Sequence, residues 1–595
     1  MTVLDWWVIA LYFLLAGGIG VALARRAGRS VSDYFVGGRA LPWWLAGTSM
    51  VATTFAADTP LAVTELVVQH GVAGNWLWWN MVMSGILTVF FYARLWRRAG
   101  VLTDVEFTEL RYGGKPAAIL RAFRAAYLAV PINLIIMGWV NLAMVEIAAV
   151  ALDIPRLWAL LFCFFLASGY SILAGIWGVV VTDFFQFALA VGGAVVLAVF
   201  AVNAVGGISG MEAGLADVYG SSEAALSFFP QLGAAWMPAI TFAVYLGMNW
   251  WASWYPGAEP GGGGYIAQRI FSSRTERDGL LATLWFNIAH YAVRPWPWIL
   301  VALASTILYA DTDLDNPRQG YVMAIMDLLP PGLTGLLLAG FAAAYMSTIS
   351  TQLNWGASYL VNDLYARFWR KDAGQKELVR VSRAATALLM VASLVVTYFL
   401  TSIEGAWRFL LALGAGTGLV LILRWYWWRI NAWSEISAMA ASLVVSLFLW
   451  FGAGLDPDDP AQWAGIMIAT VAASTAVWLS VTYLTAPESR KTLDAFYARV
   501  RPGGPGWFPV AERLGFGREG MDGGPLNWTN WVAGVVAVYT TLIGTGRLIF
   551  GEWGEAVLLL GVAAISFGWI ARNLERMPPA RSGEEAVPQP TSSVR

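Results

Sequence analysis

The chain has 595 residues, of which 58% are hydrophobic and 13% charged, and its net charge is −1. Apolar runs of about 20 residues recur along almost all of it, which excludes an ordinary soluble globular protein and predicts an all-α polytopic membrane protein. The sequence has no phosphate-binding loop, His/Cys metal spacing or nucleophile motif, so we expect neither an enzyme nor a nucleic-acid partner.

About fifteen apolar segments have the length of a membrane-spanning helix. They cover residues 5–24, 43–68, 75–96, 122–150, 155–174, 179–205, 236–254, 277–309, 331–366, 379–400, 406–428, 434–454, 464–485, 528–550 and 554–571. The first precedes Arg25, Arg26 and Arg29 and follows no basic residue, which predicts a retained span with the N-terminus outside. The C-terminus is then cytoplasmic, and all but five of the 37 Lys and Arg residues fall on cytoplasmic segments.

Two predicted spans contain sequences that cannot continue as a regular helix. The second span includes SMVATTFAADTPLAV, in which Pro60 removes a backbone donor and disfavours helix at Thr59. The seventh span runs into PGAEPGGGG, with two prolines and four consecutive glycines. Because the two spans lie five apart, they cross the membrane in opposite directions, as in an inverted repeat with broken helices at its centre. For either span alone, a packing kink is the alternative.

The ninth span contains a cluster of hydroxyl groups in the sequence GFAAAYMSTISTQLN. Four of the five residues from Ser347 to Thr351 carry a hydroxyl. On a helix, Ala344, Ser347, Thr348 and Thr351 share one stripe, with Ser350 beside it. Such hydroxyls can bond back to their own helix or line a helix contact. Their clustering favours instead a site for an alkali cation, because hard cations take oxygen ligands.

Several motifs together resemble the sodium/solute symporter family, which includes carriers of proline, sugars and sialic acid. In chain order they are SDYFVGGRALPWW (32–44), GTSMVATTF (47–55), TDVEFTELRYGG (103–114), YSILAGIWGVVVTDFFQ (170–186), YIAQR (265–269) and AAAYMSTISTQL (342–353). The resemblance extends over about residues 5 to 485. It implies a LeuT-type fold, a five-plus-five inverted repeat flanked by additional helices.

The resemblance and the composition of the C-terminal region divide the chain into eight segments. They are an N-terminal helix with its loop (1–42), the first repeat (43–205), an extracellular loop (206–235), the second repeat (236–428), two additional core helices (429–485), a cytoplasmic linker (486–527), two C-terminal helices (528–572) and a disordered tail (573–595). Within the linker, the piece TLDAFYARV is predicted to lie as a helix on the membrane surface.

The resemblance also implies sodium sites made of backbone carbonyls and side-chain oxygens. The first comprises the carbonyls of Ala52, Phe55 and Ala344 with the hydroxyls of Ser347 and Thr348. A second, present in part of the family, comprises Asp183, Ser347, Ser350 and Thr351. The chain has every one of these residue types, so we expect two Na⁺ ions. The alternative for Asp183 is that it snorkels to the cytoplasmic face or caps a helix beginning near Val179.

We expect the solute to bind near the middle of the membrane, beside the broken spans. The candidate residues are Asp58, Thr59, Trp78, Asn80, Asn141, Asn249, Trp254, His290 and Arg294. Arg294 is a candidate clamp for a solute carboxylate, or alternatively a buried partner for Asp58 or Glu65. For His290 the alternative is simple packing, and most tryptophans are expected at the lipid interfaces.

These observations predict a sodium-coupled secondary active symporter of the inner (plasma) membrane, which imports a small polar organic solute by alternating access. The sugar carriers have a carboxylate and other hydrogen-bonding groups where this chain has Trp78, Trp79 and Asn80, so a carboxylate-bearing solute such as an amino acid or organic acid is favoured over a sugar. The expected partners are the solute, sodium and the lipid bilayer, and the oligomeric state stays open, a monomer included. The alternative is a sensor that binds solute and sodium without net transport.

Overall fold

The computed structural model describes residues 1–27, 35–253, 261–312, 314, 316–400 and 403–576. Its main helices are, in chain order, α1 (Val3–Ala27), α2 (Trp43–Thr54), α3 (Asp58–His70), α4 (Val72–Ala99), α5 (Gly114–Leu152), α6 (Arg156–Ala204), α7 (239–252), α8 (Gly264–Ser272), α9 (Glu276–Leu308), α10 (Gln319–Leu328), α11 (Leu333–Trp369), α12 (Gln375–Phe399), α13 (Ile403–Gly414), α14 (Gly418–Tyr426), α15 (Ala432–Gly452), α16 (Pro460–Leu484), α17 (Arg490–Val500), α18 (Gly524–Ile549) and α19 (Trp553–Arg576). Shorter helices, such as Phe107–Arg111, Gly207–Tyr219 and Ser222–Leu226, lie in the connections.

Ten helices among the described residues are long and apolar enough to cross a membrane, and the bent pair α2–α3 makes eleven. The prediction of an all-α, multi-pass membrane protein is therefore confirmed. The count of fifteen spans and the boundaries of the eight segments stay predictions. Trp254, the segment 256–260 and the end of the predicted tail (577–595) lie outside the described residues.

One difference from the sequence prediction concerns α6. The segments 155–174 and 179–205 are predicted as separate spans, whereas residues 156–204 form one helix of 49 residues. Nothing in the connecting sequence ends a helix, because residues 170–182 contain no proline and no charged residue. Asp183 consequently lies inside a helix and does not cap one.

The first predicted break is present between α2 and α3, whose axes differ by 57°. Helix α2 ends at Phe55, where the backbone leaves the helical region (φ −91°, ψ 70°). Pro60 lies in the first turn of α3, the place where a missing N–H costs no hydrogen bond. The chain therefore resumes as a helix in a new direction, and the backbone groups at the break face the interior of the bundle.

The second break separates α7 from α8, and it docks against a third interruption that the sequence analysis did not predict. Between α13 and α14 the backbone turns at Gly416, which has φ +87°. The Gly416 N–H donates to the carbonyl of Ala252 at the end of α7 (3.1 Å). A β-carbon on Gly418 would lie 1.9 Å from the Trp251 carbonyl oxygen. Glycine is therefore required for this close approach of two broken helices.

The end of the bundle that carries the basic loops is closed by ion pairs. Glu276, at the start of α9, lies 3.2 Å from Arg94 and 2.8 Å from Arg98 of α4. Arg98 also lies 2.8 Å from Asp522, which belongs to the predicted linker. Helices α4 and α9 are thus tied to each other and to the linker on this side.

The linker packs against protein and does not lie on a membrane surface as predicted. In α17 the side chain of Phe496 is fully buried, and its ring lies 5.4 Å from the Trp507 ring and 5.7 Å from the Phe107 ring. The apolar residues of TLDAFYARV therefore face the bundle, because aromatic side chains of the connecting loops cover them.

Gly418→Ala is expected to lower the melting temperature of the purified protein, because the new methyl group forces α7 and α14 apart. Overpacking of this kind costs about 1–3 kcal/mol. The matched control is Gly465→Ala in α16, where nothing lies within 4 Å of the added β-carbon. Thermal unfolding in detergent measures both variants, and equal melting temperatures would contradict the proposed contact.

Candidate functional site

The break between α2 and α3 is joined to α11 by a hydroxyl group of the predicted strip. The last carbonyls of a helix lack intrahelical partners, and Thr53 lies at the end of α2. The Thr348 Oγ1 hydroxyl donates to the Thr53 carbonyl (2.8 Å) and lies 3.2 Å from the carbonyl of Ala344. Three oxygens from two helices therefore converge at the break.

A second group of oxygens surrounds Asp183 of α6. The Asp183 side chain is fully buried. One carboxylate oxygen accepts from Ser347 Oγ (2.6 Å) and the other from Ser49 Oγ (2.5 Å). The carboxylate thus connects α6 to α11 and α2, which excludes the alternative that Asp183 snorkels to the cytoplasmic face.

Arg269, at the end of the YIAQR motif in α8, brings a positive charge to this group. Its Nη2 donates to Thr351 Oγ1 (2.7 Å) and lies 3.8 Å from Asp183 Oδ2, while its Nε donates to Ser49 Oγ (3.2 Å). The side chain is fully buried. The sequence analysis did not assign Arg269 a role. A buried carboxylate such as Asp183 requires a positively charged partner, and the YIAQR motif ends in an arginine that could have been proposed for it.

Some of the predicted sodium ligands lie in two groups, one at the break and one around Asp183. For the first site, Thr348 and Ala344 lie at the break, and Ser347 is beside them on α11. The carbonyl of Ala52, another predicted ligand, accepts from the Phe55 N–H (3.1 Å) at the end of α2. These donors are all oxygens, which suits a sodium ion.

For the second predicted site, Asp183 and Ser347 are in direct contact. Thr351 Oγ1 is shared with Arg269 and with the Thr53 hydroxyl (3.1 Å). Ser350 instead bonds back to the carbonyl of Ser347 on its own helix (3.1 Å). The second set therefore contains the oxygens that a cation needs and, beside them, a guanidinium group that already provides a positive charge.

A cavity of about 130 Å³ adjoins the break. Helices α2, α3, α4, α5, α8, α9, α11 and α13 all contribute to its walls. Four of the predicted solute-binding residues line it, namely Asp58, Thr59, Trp78 and His290. Thr53 and Thr348, which meet at the break, line it as well.

Three predicted asparagines are engaged elsewhere. Asn249 Nδ2 donates to Asn80 Oδ1 (3.0 Å), which ties α7 to α4. Asn141 accepts from the Tyr345 hydroxyl (2.8 Å) and donates to Thr397 Oγ1 (3.0 Å). These side chains hold helices together and are not among the described residues that line the cavity.

Arg294 is likewise outside the cavity wall as described. Its guanidinium donates to the carbonyls of Val51 (3.1 Å) and Thr54 (3.0 Å), and it also contacts the ring nitrogen Nδ1 of His290. The other proposed partner, Glu65, lies 3.7 Å from Arg318. Arg294 thus binds two carbonyls in the last turn of α2, of which the Val51 carbonyl also accepts from the Phe55 N–H (2.9 Å). The sequence did not predict this role.

The remaining wall combines aliphatic and aromatic side chains, and the sequence did not predict its aromatic residues. The additional lining residues with a ring or an amide are Trp139, Tyr265, Phe286, Tyr291, Gln352 and Trp407. Gln352 follows Thr348 by one helical turn, so the spacing i, i+4 could have found it. The aromatic residues come from four helices, and no local pattern distinguishes them from residues that face lipid.

The chain is similar in sequence to known proteins. A family model described as "Sodium:solute symporter family" matches residues 34–444. A sodium/glucose cotransporter of Vibrio parahaemolyticus is 25% identical over 473 residues, which are 76% of this chain and 86% of that protein. A human sodium/iodide cotransporter is 27% identical over 479 residues, 76% and 71% of the two chains.

Among solved structures, a substrate-bound, outward-open Na⁺-coupled sialic acid symporter has a TM-score of 0.67 at 19% identity. The match covers 82% of this chain and 99% of that one. The fold is thus LeuT-like, as predicted.

Arg269→Gln is expected to destabilise the protein in sodium-free buffer, by about 3–5 kcal/mol, because it leaves the Asp183 carboxylate buried without a cation. Sodium is expected to restore part of this loss, since an ion that binds only the folded state stabilises it. In Asp183→Asn/Arg269→Gln the sodium effect is expected to fall to the contribution of the first site alone. Thermal unfolding in sodium and potassium buffers measures each variant.

The matched control is Arg274→Gln, an arginine whose side chain is 55% exposed and pairs with Asp278 on the surface. We expect it to leave both the melting temperature and the sodium effect unchanged. Equal sodium stabilisation in the parent protein and in Arg269→Gln would contradict the placement of a cation beside Asp183.

Proposed function

This chain belongs to the sodium:solute symporter family, and we propose that it imports a small polar organic solute. The members of the family are sodium-coupled transporters and not enzymes. Sodium is the co-transported ion, and the cavity beside the α2–α3 break is the solute site. The protein is a multi-pass membrane transporter, which is consistent with the plasma membrane. The outward placement of the N-terminus is part of the proposal and rests on the distribution of Lys and Arg.

The observation that carries the proposal is that two residues belong to both sites. Thr53 and Thr348 line the cavity, and the hydroxyl of Thr348 donates to the carbonyl of Thr53 among the candidate sodium ligands. An ion that binds the oxygens of Thr53 and Thr348 therefore also fixes the cavity wall next to Asp58 and Thr59. Sodium and solute therefore act on the same pair of helices, which is the requirement for coupling.

In the proposed cycle, sodium binds from outside among these oxygens and holds the break against α11. This favours the conformation whose cavity is complete, because a ligand shifts an equilibrium toward the state that it binds better. Solute then binds, and movement of one group of helices against the other opens the site to the cytoplasm. The ion pairs of Glu276 with Arg94 and Arg98 must separate in that movement, because they close the opposite end.

Two sodium ions per cycle are part of the proposal. Each charge that moves through 100 mV contributes about 2.3 kcal/mol, so two ions contribute roughly 4.6 kcal/mol. At about 1.4 kcal/mol per decade, this accumulates a neutral solute about a thousand-fold. The second ion requires that the Arg269 guanidinium withdraw from Asp183, since two cations cannot share that carboxylate in a buried site without repulsion.

The relatives do not share one class of solute. Those relatives are named for glucose and iodide, and the structural neighbour for sialic acid. A carboxylate on the solute, which the sequence analysis favours, would meet neither Lys nor Arg among the described residues of the cavity wall. The preference for a carboxylate-bearing solute therefore stays a prediction. The charge of the cavity wall is a more direct guide to the class of solute.

Thr348→Val is expected to reduce sodium-dependent uptake into proteoliposomes by raising the sodium concentration for half-maximal rate about tenfold or more. Valine keeps the shape of threonine but removes one oxygen at the break. The matched control is Thr386→Val in α12, whose buried hydroxyl donates only to the carbonyl of Ser382 in its own helix (2.9 Å). An unchanged sodium dependence in Thr348→Val would contradict the first site.

Asp183→Asn is expected to lower the Hill coefficient for sodium from near 2 toward 1, because one of two ion sites loses its carboxylate. Uptake of a mixed pool of labelled amino acids, carboxylic acids, amines and sugars at varied sodium concentrations measures this. If the pool stabilises the protein in the presence of sodium but no gradient drives accumulation, the sensor function replaces the symporter.

A further inference from the structure

The cavity wall contains one charged residue among those described, and it is acidic. Asp58, at the first turn of α3, is 3% exposed, and its Oδ1 atom has no hydrogen-bond partner. A buried carboxylate oxygen without a partner is costly, so such groups are normally paired with a cation or hydrogen-bonded. The cavity next to it is the place from which a partner can come.

A second acceptor on another helix lines the same cavity. Gln352 of α11 is 2% exposed, and its Oε1 atom also has no hydrogen-bond partner. Carboxylate and amide oxygens accept hydrogen bonds and donate none. A solute that satisfies both Asp58 and Gln352 must therefore present N–H or O–H donors.

The aromatic wall supplies a second kind of attraction for a positive charge. The Trp78 and Tyr291 rings are stacked with centroids 5.7 Å apart, and the Trp139 and Trp407 rings meet edge to face at 6.3 Å. Both pairs line the cavity. A ligand cation is attracted to the face of such a ring within about 6 Å of its centroid, and the exclusion of water by the rings strengthens the attraction to Asp58.

The nearby arginine does not change this arrangement. Arg294 donates to the carbonyls of Val51 and Thr54 and contacts His290, and its guanidinium carbon lies 5.2 Å from the centroid of the Trp298 ring. It is therefore held by the backbone of the α2 break and by His290, and from there it compensates part of the Asp58 charge through space. The Oδ1 atom of Asp58 still has no hydrogen-bond partner, and the described residues that line the cavity include neither Lys nor Arg.

We propose that the cavity selects a solute that bears an ammonium group, held between the Asp58 carboxylate and the aromatic wall. The Gln352 amide oxygen accepts one further hydrogen bond from it. The volume of about 130 Å³ limits the solute to about the size of benzene, which fills an engineered cavity of about 150 Å³. This inference rests on the proposed function, because it names the class of solute that the symporter carries.

The test uses probes that differ in charge but hardly in shape. Isobutylamine and isobutanol form one pair, and butylamine, 1-butanol and butyrate form a second set. Binding is measured in sodium buffer as thermal stabilisation of the full-length protein in detergent, and uptake is measured in proteoliposomes with the labelled compounds. We expect each cation to bind at least about 30-fold more tightly than its uncharged counterpart, as for a buried charge pair.

Asp58→Asn is expected to abolish the preference for the cation, while Asp58→Glu keeps it within about tenfold, because glutamate retains the charge. The matched control is Asp327→Asn, which removes a carboxylate at an exposed position where it accepts from the Tyr309 hydroxyl (2.9 Å). Its charge preference is expected to equal that of the parent protein. The comparison of probes within one variant keeps the test valid even where a variant is less stable.

Equal binding of charged and uncharged probes, preferential binding of butyrate, or a cation preference that survives in Asp58→Asn would overturn the inference. Sodium-dependent uptake of the alcohol or the acid would then leave the proposed function intact. If sodium instead neither stabilises the protein nor drives uptake of any probe, the proposed function itself fails. The two failures are thus distinguished by the sodium dependence.

Discussion

The whole site depends on the need to satisfy backbone polar groups where a helix is interrupted inside a membrane. Lipid offers no hydrogen bonds, so a break is tolerated only where protein or a polar cavity supplies partners. At the α2–α3 break these partners are the Thr348 hydroxyl and the Arg294 guanidinium, which bind the carbonyls of Thr53 and Thr54. The α7 end is satisfied by the N–H of Gly416. Each interruption is therefore fixed by a specific second helix, which makes relative movement of helices the natural way to change the site.

Two buried carboxylates near the break have opposite surroundings, and we interpret this as a division of roles. Asp183 accepts hydrogen bonds from Ser49 and Ser347 and lies beside the Arg269 guanidinium. The Arg269 guanidinium largely compensates the charge of Asp183, so this carboxylate suits a small cation that can take the place of the guanidinium. Asp58 has an oxygen with no hydrogen-bond partner at the wall of an aromatic cavity. The two carboxylates therefore suit ligands of different size, because the space beside each is different.

Aromatic side chains contribute more to the interior than their usual role at membrane interfaces indicates. Among the described residues, eight tryptophans are essentially fully buried, namely Trp79, Trp96, Trp139, Trp298, Trp355, Trp425, Trp478 and Trp507. Others, such as Trp553 and Trp158, are exposed on the outer surface of the bundle. The prediction that most tryptophans form interfacial belts was therefore incomplete. Composition cannot separate the two groups, because an apolar ring suits both lipid and a protein interior.

The sequence by itself determined the membrane class, the two predicted breaks and the hydroxyl strip, because these depend on local properties: apolar length, proline and glycine, and the 3.6-residue period of a helix. Only the tertiary structure decided which of the candidate polar residues meet. Asn80, Asn141 and Asn249 proved to join helices, whereas Gln352, Trp139 and Trp407 reached the cavity. The docking of α7 on Gly416 and the place of Arg269 beside Asp183 also arise from contacts between residues far apart in the chain. Such contacts leave no periodic signal in one sequence, since packing between helices fixes them and local propensity does not.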